Sequence, residues 1–186
     1  MKSKSLKQIA SLLALLATAG TLESQASSQA TAQNREAARL AREVRHELLT
    51  LPWYGVFDWL EGSVTADGRV TLRGWVVSPT TRSDAENRVR EIEGVQQLSN
   101  EIRVLPVSPN DERLRRAVYE ALFGGNSPLF RYALGSNPSI HVIIDQGRVT
   151  LKGLVSTDGD RSLAIVRAKG VSGVFDVTNE LTLDKQ

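Results

Sequence analysis

The chain has 186 residues, no cysteine and nearly balanced charge, with 23 Lys+Arg against 21 Asp+Glu. The missing cysteine excludes disulfides, a Cys-based metal site, a thiol nucleophile and a lipidated-Cys anchor. Removing residues 1–26 takes away three Lys and one Glu and leaves 20 of each sign, which argues against bulk attraction to nucleic acid.

Residues 1–26 carry Lys2, Lys4 and Lys7, then an apolar run from Ile9 to Ala19 too short to span a bilayer. Small residues at cleavage spacing follow, ending at Ala26 or at Ala32. This is the pattern of a secretory signal peptide, so an exported, periplasmic protein is expected, soluble or peripheral to a membrane and not a lipoprotein. Residues 27–34 are small and polar and are expected to be a linker.

A helix is predicted from Arg35 to Thr50, because Ala37, Leu40, Ala41, Val44 and Leu48 recur on one face. Pro52 ends it. Trp53, Tyr54, Phe57 and Trp59 then place four of the chain's ten aromatics in seven residues. They either seal a small core or form a contact surface for lipid or protein. Strands are predicted over Trp59–Thr65 and Val70–Val77, joined at Asp67-Gly68, since a tight hairpin turn needs positive φ. Alternation puts Val70, Leu72 and Val76 on one face and Arg73 and Trp75 on the other. A second helix starts at Pro79 and ends near Gly94, and a third strand runs from Leu98 to Leu105.

Residues 106–110 are expected to link two domains, 35–105 and 111–186. The second opens with a helix capped by Asn110 or Asp111 and ending near Phe123. A short helix from Pro128 to about Leu134 is an insert. Strand Ile140–Asp145, the turn Gln146-Gly147, strand Val149–Val155, a helix over Gly159–Lys169 and strand Val174–Leu183 complete it.

The two halves repeat. Asp67-Gly68-Arg69-Val70-Thr71-Leu72-Arg73-Gly74 returns as Gln146-Gly147-Arg148-Val149-Thr150-Leu151-Lys152-Gly153, and 15 of 38 ungapped positions from Asp67 to Val104 are identical at this offset. The fold class is therefore α+β: two αββαβ domains, each a small mixed three-stranded sheet with two helices on one face. The other sheet face, with Arg73/Lys152 and Trp75/Leu154, is half-polar and available to the other domain, a partner or solvent.

These motifs resemble the BON domain, in tandem. The hairpin motif is followed in each copy by a terminal strand motif, Gly94-Val95-Gln96-Gln97-Leu98-Ser99-Asn100-Glu101-Ile102 and Gly173-Val174-Phe175-Asp176-Val177-Thr178-Asn179-Glu180-Leu181. The resemblance implies a non-enzymatic envelope protein that binds anionic phospholipid or supports the envelope under osmotic stress. It also implies that the first helix of the second copy meets lipid, here through Arg113, Arg115, Arg116 and Tyr119 with the neighbouring Phe130, Arg131 and Tyr132. On this expectation the arginines contact phosphate while Phe130 and Tyr132 enter the interface.

The alternative is a protein-interaction or self-association module, with Trp53, Tyr54, Phe57, Trp75 and Leu154 as contacts. A cell-wall binder is a third reading. No catalytic residue, metal ligand or cofactor is expected. His46 and His141 lack metal spacing, Asp158-Gly159-Asp160 lacks a calcium loop's ligand ladder, and Gly124-Gly125-Asn126 has no P-loop lysine.

Overall fold

The computed structural model describes residues 28–135 and 137–184. The expected signal peptide at 1–26 lies outside them. Helix α1 covers 28–49, followed by strands β1 (Trp59–Val64) and β2 (Arg69–Val76), helix α2 (Pro79–Arg90) and strand β3 (Gln97–Val104). The second half holds α3 (Pro109–Phe123), a 3-10 turn (Pro128–Ala133), β4 (Ile140–Asp145), β5 (Arg148–Val155), α4 (Asp158–Lys169) and β6 (Asp176–Leu183). In each half an antiparallel hairpin is joined by a crossover helix to a third, parallel strand, giving the sheet orders β1-β2-β3 and β4-β5-β6.

Two expectations need correction at helix starts. Of the linker expected over 27–34, residues 28–34 are already helical. The stretch has no Gly or Pro, and extending a helix that packing has nucleated costs little. The α3 cap is Ser108, whose hydroxyl accepts the Asp111 N–H, with Pro109 in the first turn, rather than Asn110 or Asp111. Asp111 is buried instead, and its carboxylate accepts the Gln146 and Gly147 N–H groups, tying α3 to the β4–β5 turn.

Each half has its own core. Leu40, Val44 and Leu48 of α1 meet Leu72, Val76, Ala85 and Val89 in the first. Leu114, Val118 and Leu122 meet Ile144, Leu151, Ala164 and Ala168 in the second. Gly74 and Gly153 hold φ of 131° and 119°, and a Cβ at either would collide with the carbonyl of Trp59 or Ser139 across the hairpin. These glycines are what let the paired strands close.

The half-polar sheet face is partly taken by the other domain. Lys152 on β5 ion-pairs with Glu180 at 2.5 Å and with Glu61 of the first domain at 3.7 Å. Its ammonium also lies 5.5 and 5.3 Å from the Trp59 and Trp75 rings. Beside it the turn Gly55–Asp58 crosses over. The Val142 N–H donates to Val56 O at 2.7 Å, and Val56 and Phe57 pack on the second core.

Candidate functional site

The expected arginine helix is not a single basic surface. Arg115 is buried, donating from Nη2 to Ile144 O at 3.2 Å and pairing through Nη1 with Glu112 at 3.3 Å. Its position flanks Leu114 and Val118, and that flank of α3 is covered by β4 and the Gly55–Asp58 turn. Tyr119 is half-buried between the Phe57 and Phe123 rings, 6.2 and 5.1 Å away. Tyr132 is buried as well: its hydroxyl donates to Asp160 at 2.9 Å and accepts the Ser156 N–H at 2.9 Å. The expectation that Arg115 and Tyr132 meet lipid is therefore corrected, because both side chains are spent inside the fold. Arg131 is tied to Asp160 at 2.6 Å. The Thr157 hydroxyl, then the Tyr132 hydroxyl and that pairing, hold the Asp160 carboxyl below its usual range.

The exposed members are Arg113, Arg116, Phe130 and Arg131, the last held by Asp160. Arg116 pairs with Glu112 at 3.3 Å, while among the described residues Arg113 bonds only Asn110 Oδ1, at 2.9 Å. Phe130 is exposed beyond the far end of α3, a helix of 15 residues or about 20 Å, so it shares no compact site with Arg113.

Near Arg113 a different cluster forms. The Arg113 guanidinium reaches toward Gly173, and Phe175, 76% exposed, follows two residues later. Phe175 N–H donates to Gly147 O at 2.8 Å, which places its ring 4.9 Å from the Arg148 guanidinium. Asp176, the register partner of Arg148, makes no ion pair with it among the described residues. Sequence reasoning missed Arg148 and Phe175. They lie 27 positions apart and are joined only by the parallel β5–β6 register. Their one sequence signal is that Gln96, the repeat counterpart of Phe175, is polar.

The alternative contact residues divide. Trp53 is 84% exposed and sits at φ 70°, whereas Tyr54 is buried 5.3 Å from the His141 ring. Burial pushes the Tyr54 phenol up to about 12. Phe57 and Trp75 are engaged with the second domain, and Leu154 is exposed. As partner contacts, Tyr54, Phe57 and Trp75 are spent within the chain.

His141 Nδ1–H donates to Gly55 O at 3.2 Å, and the ring lies edge-on to Trp59, ring centres 5.1 Å apart. Burial lowers its pKa. Asp58 is buried, and burial raises its carboxyl although Oδ1 accepts Val77 N–H at 2.8 Å and Oδ2 accepts Gly55 N–H at 3.1 Å. Next to this contact opens a cleft of about 640 Å³ between α1 and β1, with Arg42, Arg45, Leu48 and Gly62 on one side and Pro138 and Leu154 on the other. Among the described residues no group of His, Asp and Glu could hold a metal, and no helix is long and apolar enough to cross a membrane.

No curated protein matches this chain. Among solved structures it is similar to the C-terminal domain of CdsD, titled a structural protein of the type III secretion system of Chlamydia trachomatis. That likeness has 12% identity and a TM-score of 0.31 over 77% of this chain and 96% of that one. A second CdsD structure from Chlamydia trachomatis gives 12% identity and a TM-score of 0.30, covering 78% and 92%. The family model described as BON domain matches residues 37–106 and again 110–185, on the two sheet-and-helix units described above, and the chain belongs to the BON domain family as a tandem pair.

Proposed function

We propose that this chain is a non-catalytic protein of the bacterial cell envelope that attaches to anionic phospholipid through one end of its second domain. The observation that carries the reading is Phe175, a large exposed ring beside Arg148 and near Arg113, neither cation being ion-paired among the described residues. An aromatic ring at the headgroup level with cations around it is the chemistry of interfacial attachment. Each such arginine contributes about 1 kcal/mol near an anionic surface, so binding is weak and salt-sensitive.

The test is co-sedimentation of the chain from residue 27 onward with anionic and with zwitterionic vesicles, at low and at physiological salt. Binding is expected on anionic vesicles only, weakened by salt and by Arg148→Glu or Phe175→Ser. Absence of binding, or binding indifferent to both substitutions, overturns the reading.

A further inference from the structure

The two domains are copies, and the copies differ beside their edge strands. Leu60 pairs with Gly74 where Ile140 pairs with Gly153, so Gly62 corresponds to Val142 and Glu61 to His141. On the first helices Leu40, Val44 and Leu48 correspond to Leu114, Val118 and Leu122. Arg42 therefore takes the place of Arg116, and Arg45 that of Tyr119.

In the second domain the groove between helix and edge strand is filled by the Gly55–Asp58 turn. It is held by the Val142 N–H on Val56 O, by His141 Nδ1–H on Gly55 O and by the Phe57 ring against Tyr119, while the Asp58 carboxylate, bonded to the Val77 and Gly55 N–H groups, lies within electrostatic reach of Arg115. In the first domain the same groove opens as a cleft between α1 and β1, with Pro138, Ser139, His141 and Leu154 of the second domain forming its far wall. Thr65 N–H donates to Arg69 O, so the alternation of an antiparallel ladder turns the Gly62 amide away from β2. Val142 is turned away from β5 in the same sense. The Tyr54 hydroxyl occupies the Leu60 main chain, which leaves Gly62 as the edge position facing the cleft.

The charge of the walls is specific. Arg42 and Arg45 are exposed, and neither forms an ion pair among the described residues. Glu61, the acidic group on the wall, is already held by Trp59 Nε1 at 2.5 Å and by Lys152. Apolar surface comes from Leu48, Leu49 and Tyr54.

We propose that the first-domain cleft is a docking site for a short segment of another polypeptide that carries an acidic side chain beside an apolar one. Gly62 meets the segment's backbone, Arg45 or Arg42 its carboxylate, and Leu48 and Tyr54 its apolar side chain. The second domain holds the first domain's Gly55–Asp58 turn by the same kinds of contact, a strand-edge amide on the backbone, a side wall for an apolar ring and an arginine near a carboxylate. This site is separate from Phe175 and does not depend on the lipid reading.

The experiment is to pan a random heptapeptide display library against the full chain and against its Arg42→Glu/Arg45→Glu variant. The peptides enriched on the chain are then synthesised and titrated against 15N-labelled protein. Enriched peptides are expected to contain Asp or Glu, to be retained at least ten-fold less by the variant, and to shift the Gly62 amide resonance. The Phe175→Ser protein is expected to bind them unchanged. Failure to enrich any peptide, enrichment indifferent to charge reversal, or shifts confined to the β3 or β6 edge overturns the proposal. A Gly62 shift produced by anionic vesicles and by no peptide also overturns it, assigning the cleft to lipid. An unchanged melting temperature of the double variant shows that any loss is not unfolding.

Discussion

The grooves beside α1 and α3 are the same construction in two states. Both sit between a leucine- and valine-lined helix and the outer strand of a hairpin, yet one is closed by the Gly55–Asp58 turn and the other is open. The difference rests on a few wall positions: Tyr119 against Arg45, Val142 against Gly62, His141 against Glu61. Duplicated domains that keep their cores can thus diverge into a donor and an acceptor by changing residues at one edge.

The strongest way to probe the comparison is to ask whether the two hairpins are equivalent. Gly153→Ala forces a Cβ into the Ser139 carbonyl at positive φ, and Gly74→Ala does the same against Trp59. Each is expected to lose about 3–5 kcal/mol by urea denaturation, combining overpacking with backbone strain. Equal losses mean the copies share one framework. A tolerated Gly74→Ala would mean that the open-groove domain closes its hairpin more loosely.

Next in size is the docked turn. Asp58→Ala leaves the Val77 and Gly55 amides without their acceptor, at a cost of about 2–4 kcal/mol. The expected readout is a second, earlier unfolding step in urea as the domains uncouple. A single unshifted transition would show that the turn does not couple them.

The smallest effect is a pH dependence. The folded pKa of His141 lies below its unfolded value, so its contribution is present above the unfolded pKa near 6.5 and is lost as pH falls through that window. Lys152 pairs with His141 in the ladder and adds like charge on protonation. His141→Phe is expected to flatten the stability profile just below pH 6.5, measured by urea midpoints. Asp58 acts with opposite sign and in another window. Its pKa is raised, so its contribution is present near and below the unfolded value of 3.8 and is lost as pH rises through the folded one. A profile unchanged by His141→Phe would place the ring outside the coupling contact.

Most of the architecture was legible in sequence because it is written in local terms. The repeated Gly-Arg-Val-Thr-Leu stretch carries a period of two and a turn, and Pro79 and Gly94 bracket a helix. The candidate site was less legible. Arg115 looks solvated on a helical projection, and only the fold, which lays β4 along that flank of α3 and brings Ile144 O within reach, makes it a buried donor. Tyr132 looks like an interfacial aromatic until Asp160 and Ser156 arrive to bond its hydroxyl. Arg148 and Phe175 meet through strand register, which periodicity cannot report. The half-polar sheet face was visible from alternation, but that the other domain would cover part of it was not.

The docked turn also sets who can bind where. Residues 105–107 are all that separate β3 from the cap of α3, so the Gly55–Asp58 turn meets its groove at an effective concentration in the millimolar range. A free segment at micromolar concentration competing for the same groove is outnumbered by about a thousandfold. The second domain is in this sense saturated by its own chain, and any outside polypeptide is left with the first.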